Sequence, residues 1–161
     1  MPSVHDVAAY ILERTGSIST WKLQKLVYYS QAWHLAWHDK PMFTERIEAW
    51  ANGPVAPDLY AKHRGSFEVS GWKRWGDASQ LRATDTKTID IVLEHYGNLT
   101  GRQLSHLTHN EDPWVDARGD IGPTTRSNAE IPRQSLQAYY GALDANQDVK
   151  PVDELDWSDF A

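Results

Sequence analysis

Over the first forty residues, apolar positions recur at steps of three and four, which predicts helices rather than strands. Ser3-Val4-His5-Asp6 has the form of a capping box with Asp in place of Glu. The helix it opens carries Val4, Val7, Ala8, Ile11 and Leu12 and stops at Gly16 after Thr15. A second start lies at Ser19 or Thr20. From there Leu23, Leu26, Val27, Ser30, Trp33, His34 and Trp37 form the longest stripe of the chain, ending near Asp39. This predicts a central buried helix, with Lys22, Lys25, Gln31 and His38 off its stripe. Pro41 breaks the pattern. Glu45 to Trp50 alternates polar and apolar as a short strand does, and Asn52-Gly53-Pro54 marks a turn.

Further along, Pro57 suits the first turn of a helix reaching about His63. Residues 65–82 have no helical period. Phe67, Val69, Trp72 and Trp75, spaced by glycines, predict a hairpin or ordered loop. Thr84 or Asp85 then caps a helix carrying Ile89, Val92, Leu93 and Tyr96, stopped by Gly97. Thr100 opens another with Leu104 and Leu107, and Asp112-Pro113 a short one with Trp114 and Val115. Residues 119–128 read as a loop. A last helix begins at Pro132 and carries Leu136, Tyr139, Tyr140 and Leu143. The expected fold is mainly α: a single compact helical domain of six or seven helices with a small antiparallel β element, spanning residues 1–145.

Charge changes the picture at one end only. The 161 residues carry a formal charge of −6. Residues 144–161 hold six acids against one base, Lys150, a net of −5. The other 143 residues carry 16 acids against 15 bases and are almost neutral. An acidic tail over residues 146–161 is therefore expected. Pro151 and the lack of helical period predict that it is extended on its own. Leu155, Trp157 and Phe160 lie among its acids, so it can dock aromatic rings while its carboxylates meet a basic partner.

Composition excludes several chemistries. The absence of cysteine removes disulfides, thiolate nucleophiles and Cys-based metal sites. No apolar run reaches the ~20 residues of a membrane span, and the N-terminus lacks the basic region of a signal peptide. The expectation is a cytoplasmic protein without a membrane partner. His34 and His38 stand at metal-ligand spacing, but Leu35 occupies the place where HExxH has its Glu. His34 and His109 are expected to be buried beside Trp33 and Trp114, with no metal and no cofactor. Nucleophile-elbow and P-loop patterns are absent, and Glu111-Asp112 before Pro113 reads as a helix cap, so no catalytic residue is expected. Lys62, His63, Arg64, Lys73, Arg74 and Arg82 interleave with Phe67, Trp72 and Trp75 in a way that could suit nucleic acid. Glu68, Asp77 and the neutral domain disfavour that reading.

The run Lys22-Leu23-Gln24-Lys25-Leu26-Val27-Tyr28-Tyr29-Ser30-Gln31-Ala32-Trp33-His34 resembles the KLQKLLYFAQGWHL run of the SocA-like, or Panacea-domain, antitoxin family, shared with phage-associated proteins of the GepA type. Lys40-Pro41-Met42-Phe43 is similar to the family's KPLF. Ile47 to Trp50 with Gly53-Pro54-Val55 is similar to its IEAWxxGPV block. The block from Tyr96-Gly97 through Leu107-Thr108-His109 to Pro113-Trp114 follows in order, and Ile131 to Tyr140 resembles the closing helix. Ser30 and residues 128–132 depart from the pattern, and the acidic tail lies outside it. The resemblance implies an antitoxin of a type II system, acting by direct binding to a co-encoded protein toxin. It also implies an alternative, an adaptor that delivers the toxin to an AAA+ protease. A DNA-binding autoregulator is a further alternative, since many antitoxins bind their own promoters, but no helix-turn-helix signature is visible. It marks Lys22, Gln24, Lys25, Tyr28, Trp33, His34, Trp50, Gly53, Pro54, His109 and Trp114 as motif residues. Trp72, Trp75, Trp157 and Phe160 fall outside the strongest blocks and are expected to be partner contacts specific to this chain.

Overall fold

The computed structural model describes residues 1–146. In chain order its elements are α1 (Val4–Thr15), β1 (Ile18–Ser19), α2 (Thr20–His38), β2 (Glu48–Trp50), β3 (Gly53–Val55), α3 (Pro57–His63), β4 (Glu68–Val69), α4 (Ala83–Tyr96), α5 (Gly101–His109), α6 (Asp112–Arg118) and α7 (Arg133–Ala145). A 3-10 turn, Ala78–Gln80, precedes α4. Among the described residues there are thus seven helices and two short antiparallel pairs, β1 with β4 and β2 with β3. The fold is mainly α with a small antiparallel component.

Local chemistry sets several of the boundaries. Ser3 and Asp6 form the reciprocal capping box at α1, and Thr100 and Gln103 do the same at α5. Ser19 caps α2 through the Lys22 amide. At the far end Asp39 adopts the left-handed conformation, the one non-glycine among the described residues with positive φ.

α2 is the hub. Helices α1, α4, α5 and α7 all pack on it. Because neighbours surround it, burial follows no single stripe. Lys25 and Gln31, expected off the apolar face, are each 2% exposed. Gln31 spends its amide on loop backbone: its Oε1 accepts from the Met42 amide at 2.7 Å, and its Nε2 donates to the Phe43 carbonyl at 2.8 Å. Lys22 is half-buried and donates to the Gly97 carbonyl at 2.6 Å.

Other expectations also change. Of the two alternatives for residues 65–82, the structure takes the ordered loop and not the hairpin. β4 pairs instead with β1, Ile18 opposite Val69, and the chain then lies against α1. Gly76 makes that approach possible, because a Cβ there would sit 2.1 Å from the His5 carbonyl oxygen. The cap of α4 is Arg82, not Thr84 or Asp85. Asp85 is the third helical residue and its carboxylate accepts from the Arg82 amide at 2.9 Å. Glu111 precedes α6 without capping it. Its side chain turns into the core, where Tyr29 and Tyr140 both donate to Oε1, at 2.7 and 2.8 Å. Beyond β3, backbone bonds join Ala49 to Ala129 and Ile131 to Ile47, so residues 129–131 lie along the free edge of β2.

Candidate functional site

The first turns of α2, the β2–β3 hairpin, α3 and the segments 64–67 and 126–128 enclose a cleft of about 1030 Å³. Gln24 ties two of these walls. Its Oε1 accepts from the Ala56 amide at 2.9 Å, and its Nε2 lies 3.0 Å from His63 Nε2, which serves as acceptor in the tautomer protonated at Nδ1. The turn between β2 and β3 places Gly53 at φ +118°, where an added Cβ would stand 2.5 Å from Lys25 Cε. A side chain at this position would therefore drive Lys25 from its seat.

Lys25 Nζ donates to the Pro54 carbonyl at 3.1 Å. No carboxylate among the described residues lies within ion-pair distance of it. Burial without a counter-ion lowers its pKa to about 7. Burial is also the main cause of the lowered His63 pKa, and the charge of Lys25 adds to it. The rim is aromatic and cationic. Trp21 is 47% exposed, Tyr60 36% and Phe67 81%. Trp50 meets Tyr60 edge to face at 4.9 Å. Arg64 and Arg126 are exposed on the rim. Glu48, the acid among the lining residues, is already engaged by Arg46 at 2.9 Å and by Trp50 Nε1 at 2.8 Å.

Of the motif residues, Gln24, Lys25, Trp50, Gly53 and Pro54 meet at this cleft. Trp114 and His109 stand behind it: Trp114 Nε1 donates to the Trp50 carbonyl at 2.8 Å, and His109 stacks on Trp114 at 4.0 Å. His109 Nε2 is buried without a partner among the described residues. Burial holds its pKa down to about 4, followed by the charges of Lys25, His106 and Arg118. Tyr28, Trp33 and His34 lie farther along α2, inside the helical packing. The Tyr28 hydroxyl lies 3.0 Å from that of Tyr140, Trp33 Nε1 donates to the Tyr96 hydroxyl at 2.9 Å, and His34 Nδ1 lies 3.1 Å from Thr88 Oγ1. Lys22 faces Gly97 and does not join them.

The expected partner contacts divide. Trp72 is 2% exposed and bonds His5 through Nε1, so it belongs to the core and offers no surface. Trp75 is 36% exposed beside Arg74. Trp157 and Phe160 lie outside the described residues. Sequence reasoning passed over Trp21, Tyr60 and Arg126, whose place on the rim depends on distant segments meeting. It also passed over Arg118, which is buried and holds the carbonyls of Ala49, Gly122 and Thr125 with one guanidinium. An aromatic at the start of a helix, off its apolar stripe, is the one local signal that pointed to Trp21.

Among the described residues no three His, Asp or Glu side chains are grouped to hold a metal, and no helix is long and apolar enough to cross a membrane. The cleft presents a buried amine, an aromatic rim and cations without an ion pair among the described residues, a combination suited to recognition of an acidic or aromatic surface. A family model described as antitoxin SocA-like, Panacea domain, matches residues 23–115, which takes in every cleft residue of α2, β2, β3 and α3 from Gln24 on. No curated protein and no solved structure matches the chain.

Proposed function

Because the chain belongs to the SocA-like Panacea antitoxin family, we propose that it is the antitoxin of a type II system and neutralises a co-encoded protein toxin by direct, stoichiometric binding in the cytoplasm. The domain proper is residues 1–145, and its role is binding rather than catalysis. The observation that carries this reading is the cleft, where family-block residues support a rim of exposed Trp21, Tyr60 and Phe67. Aromatic anchors around a depression suit a protein partner, because they bury large area with few torsions to freeze. A toxin held there would have its active surface occluded by the body of the domain.

The test is co-expression with the neighbouring gene product. Growth rescue together with co-purification of a fixed-ratio complex is the expected result. Trp21→Ala combined with Phe67→Ala lowers affinity by at least tenfold, since anchor residues of this kind contribute about 2 kcal/mol or more. Rescue that requires an AAA+ protease and lowers toxin levels would replace this mechanism with delivery to the protease. Rescue only through operator binding, steeply weakened by salt, would replace it with autoregulation.

A further inference from the structure

The cleft lacks one thing its chemistry calls for, an anion. Lys25 is a buried amine whose hydrogen-bond acceptor among the described residues is a neutral carbonyl. Its charged form is costly to bury there unless a counter-ion meets it. Arg64 and Arg126 add two rim cations without an ion pair among the described residues, and the lone lining acid, Glu48, is neutralised by Arg46. The exposed rings of Trp21, Tyr60 and Phe67 supply apolar walls beside these charges.

The chain itself carries a segment of the complementary composition. After Asn146 come five acids against Lys150, and Asp156-Trp157 and Asp159-Phe160 repeat an acid–aromatic pair at a spacing of three. Residues 147–161 can extend about 50 Å at 3.3–3.6 Å per residue. A domain of this size has a radius of gyration of about 15 Å. Asp144 accepts from Trp37 Nε1 at 3.2 Å at the far end of α2, about 24 Å along that helix from Trp21 at 1.5 Å per residue, so residues 147–157, which span about 36–40 Å extended, bring Trp157 within reach of the cleft.

We propose that this cleft is the docking site of the chain's own acidic C-terminal segment, with Trp157 and Phe160 seated on the aromatic rim and Asp156 and Asp159 facing Lys25, Arg64 and Arg126. Tethering favours the contact, because the linked segment is present at an effective concentration in the millimolar range. The proposal concerns this chain alone and stands or falls without a toxin. A toxin segment entering the same cleft would have to displace the tail.

The absence of native cysteine makes a clean test possible in the full-length chain. Ser66→Cys, on the cleft wall, is paired with Ser158→Cys, which leaves every acid and aromatic of the tail in place. Lys87→Cys, exposed on α4 outside the cleft, is paired with the same tail cysteine as the control. Under dilute oxidising conditions the cleft pair is expected to form an intramolecular disulfide at least tenfold faster than the control pair. Adding Arg64→Glu and Arg126→Glu, both at exposed positions, or raising salt to about 1 M, where the Debye length is ~3 Å, should bring the rate down towards the control. Equal rates for the two pairs would overturn the proposal. So would a cleft rate indifferent to both the charge reversals and salt, or disulfides found only between two chains.

Discussion

Between about pH 4.5 and 7 the Glu111 carboxyl keeps a proton that the unfolded chain has released. Burial raises its pKa from 4.5 to about 7, against the pull of the Tyr29 and Tyr140 hydroxyls. The folded state then binds more protons than the unfolded state, so this group subtracts stability as pH rises through that window. His34 and His109 act with the opposite sign. Burial lowers both to about 4, so each adds stability as pH rises from 4 to 6.5. Glu111→Gln keeps an acceptor for both tyrosines and has no proton to lose. Chemical denaturation across pH 5 to 8 should show the variant gaining on the parent by about 2 kcal/mol as pH rises. A difference that stays flat with pH would mean that the carboxyl is ionised throughout. None of this was visible in the residue string, where Glu111 beside Asp112 and Pro113 had every mark of a cap. Lys25 was misplaced for a related reason. A helical stripe is read as one buried face against one solvated face, and α2 has no solvated face along most of its length.

At the scale of elements, capping chemistry was legible and tertiary pairing was not. Ser3, Ser19 and Thr100 announce their helices with side chains that act within three residues. The partner of β4 is β1, fifty residues earlier, and no local spacing encodes that. Arg118 is an element-scale device of the same hidden kind. It ends α6, lies over Trp114 at 4.8 Å, and bonds one carbonyl of β2 and two of the following loop. Arg118→Met keeps much of the stem but leaves three acceptors without their donor. The expected cost is about 3 kcal/mol in denaturant unfolding. Faster proteolysis within residues 119–128 than elsewhere should accompany it. Cleavage spread evenly over the chain would show that Arg118 does not anchor this loop in particular.

The whole molecule was legible as a class. Six or seven helices, the family blocks in order and the near-neutral domain could all be read from the residues; the helical fold bears out the first, and the family match bears out the blocks between residues 23 and 115. The cleft could not be read, because its walls come from three stretches that the sequence keeps apart, residues 20–25, 48–67 and 126–128. The closing helix shows how far that separation reaches. Tyr140 is fully buried and joins Tyr28 and Glu111 through one hydroxyl, 112 and 29 residues away. A chain ending before it should fail as a whole rather than lose one helix. A stop at Gln137 is expected to give a product without a cooperative thermal transition and with exposed apolar surface that binds a hydrophobic dye. A sharp transition near that of the full chain would refute this.

The long reach of α7 also has a consequence in time. On the ribosome, α2 leaves the exit tunnel with Tyr28, Tyr29 and Trp33 ready to pack, but the helix that covers them is synthesised more than a hundred residues later. At 5–20 residues per second this interval lasts roughly 5–20 s. Throughout it these rings of the newborn chain lack the cover of α7, and the packing around α2 closes only when that helix emerges.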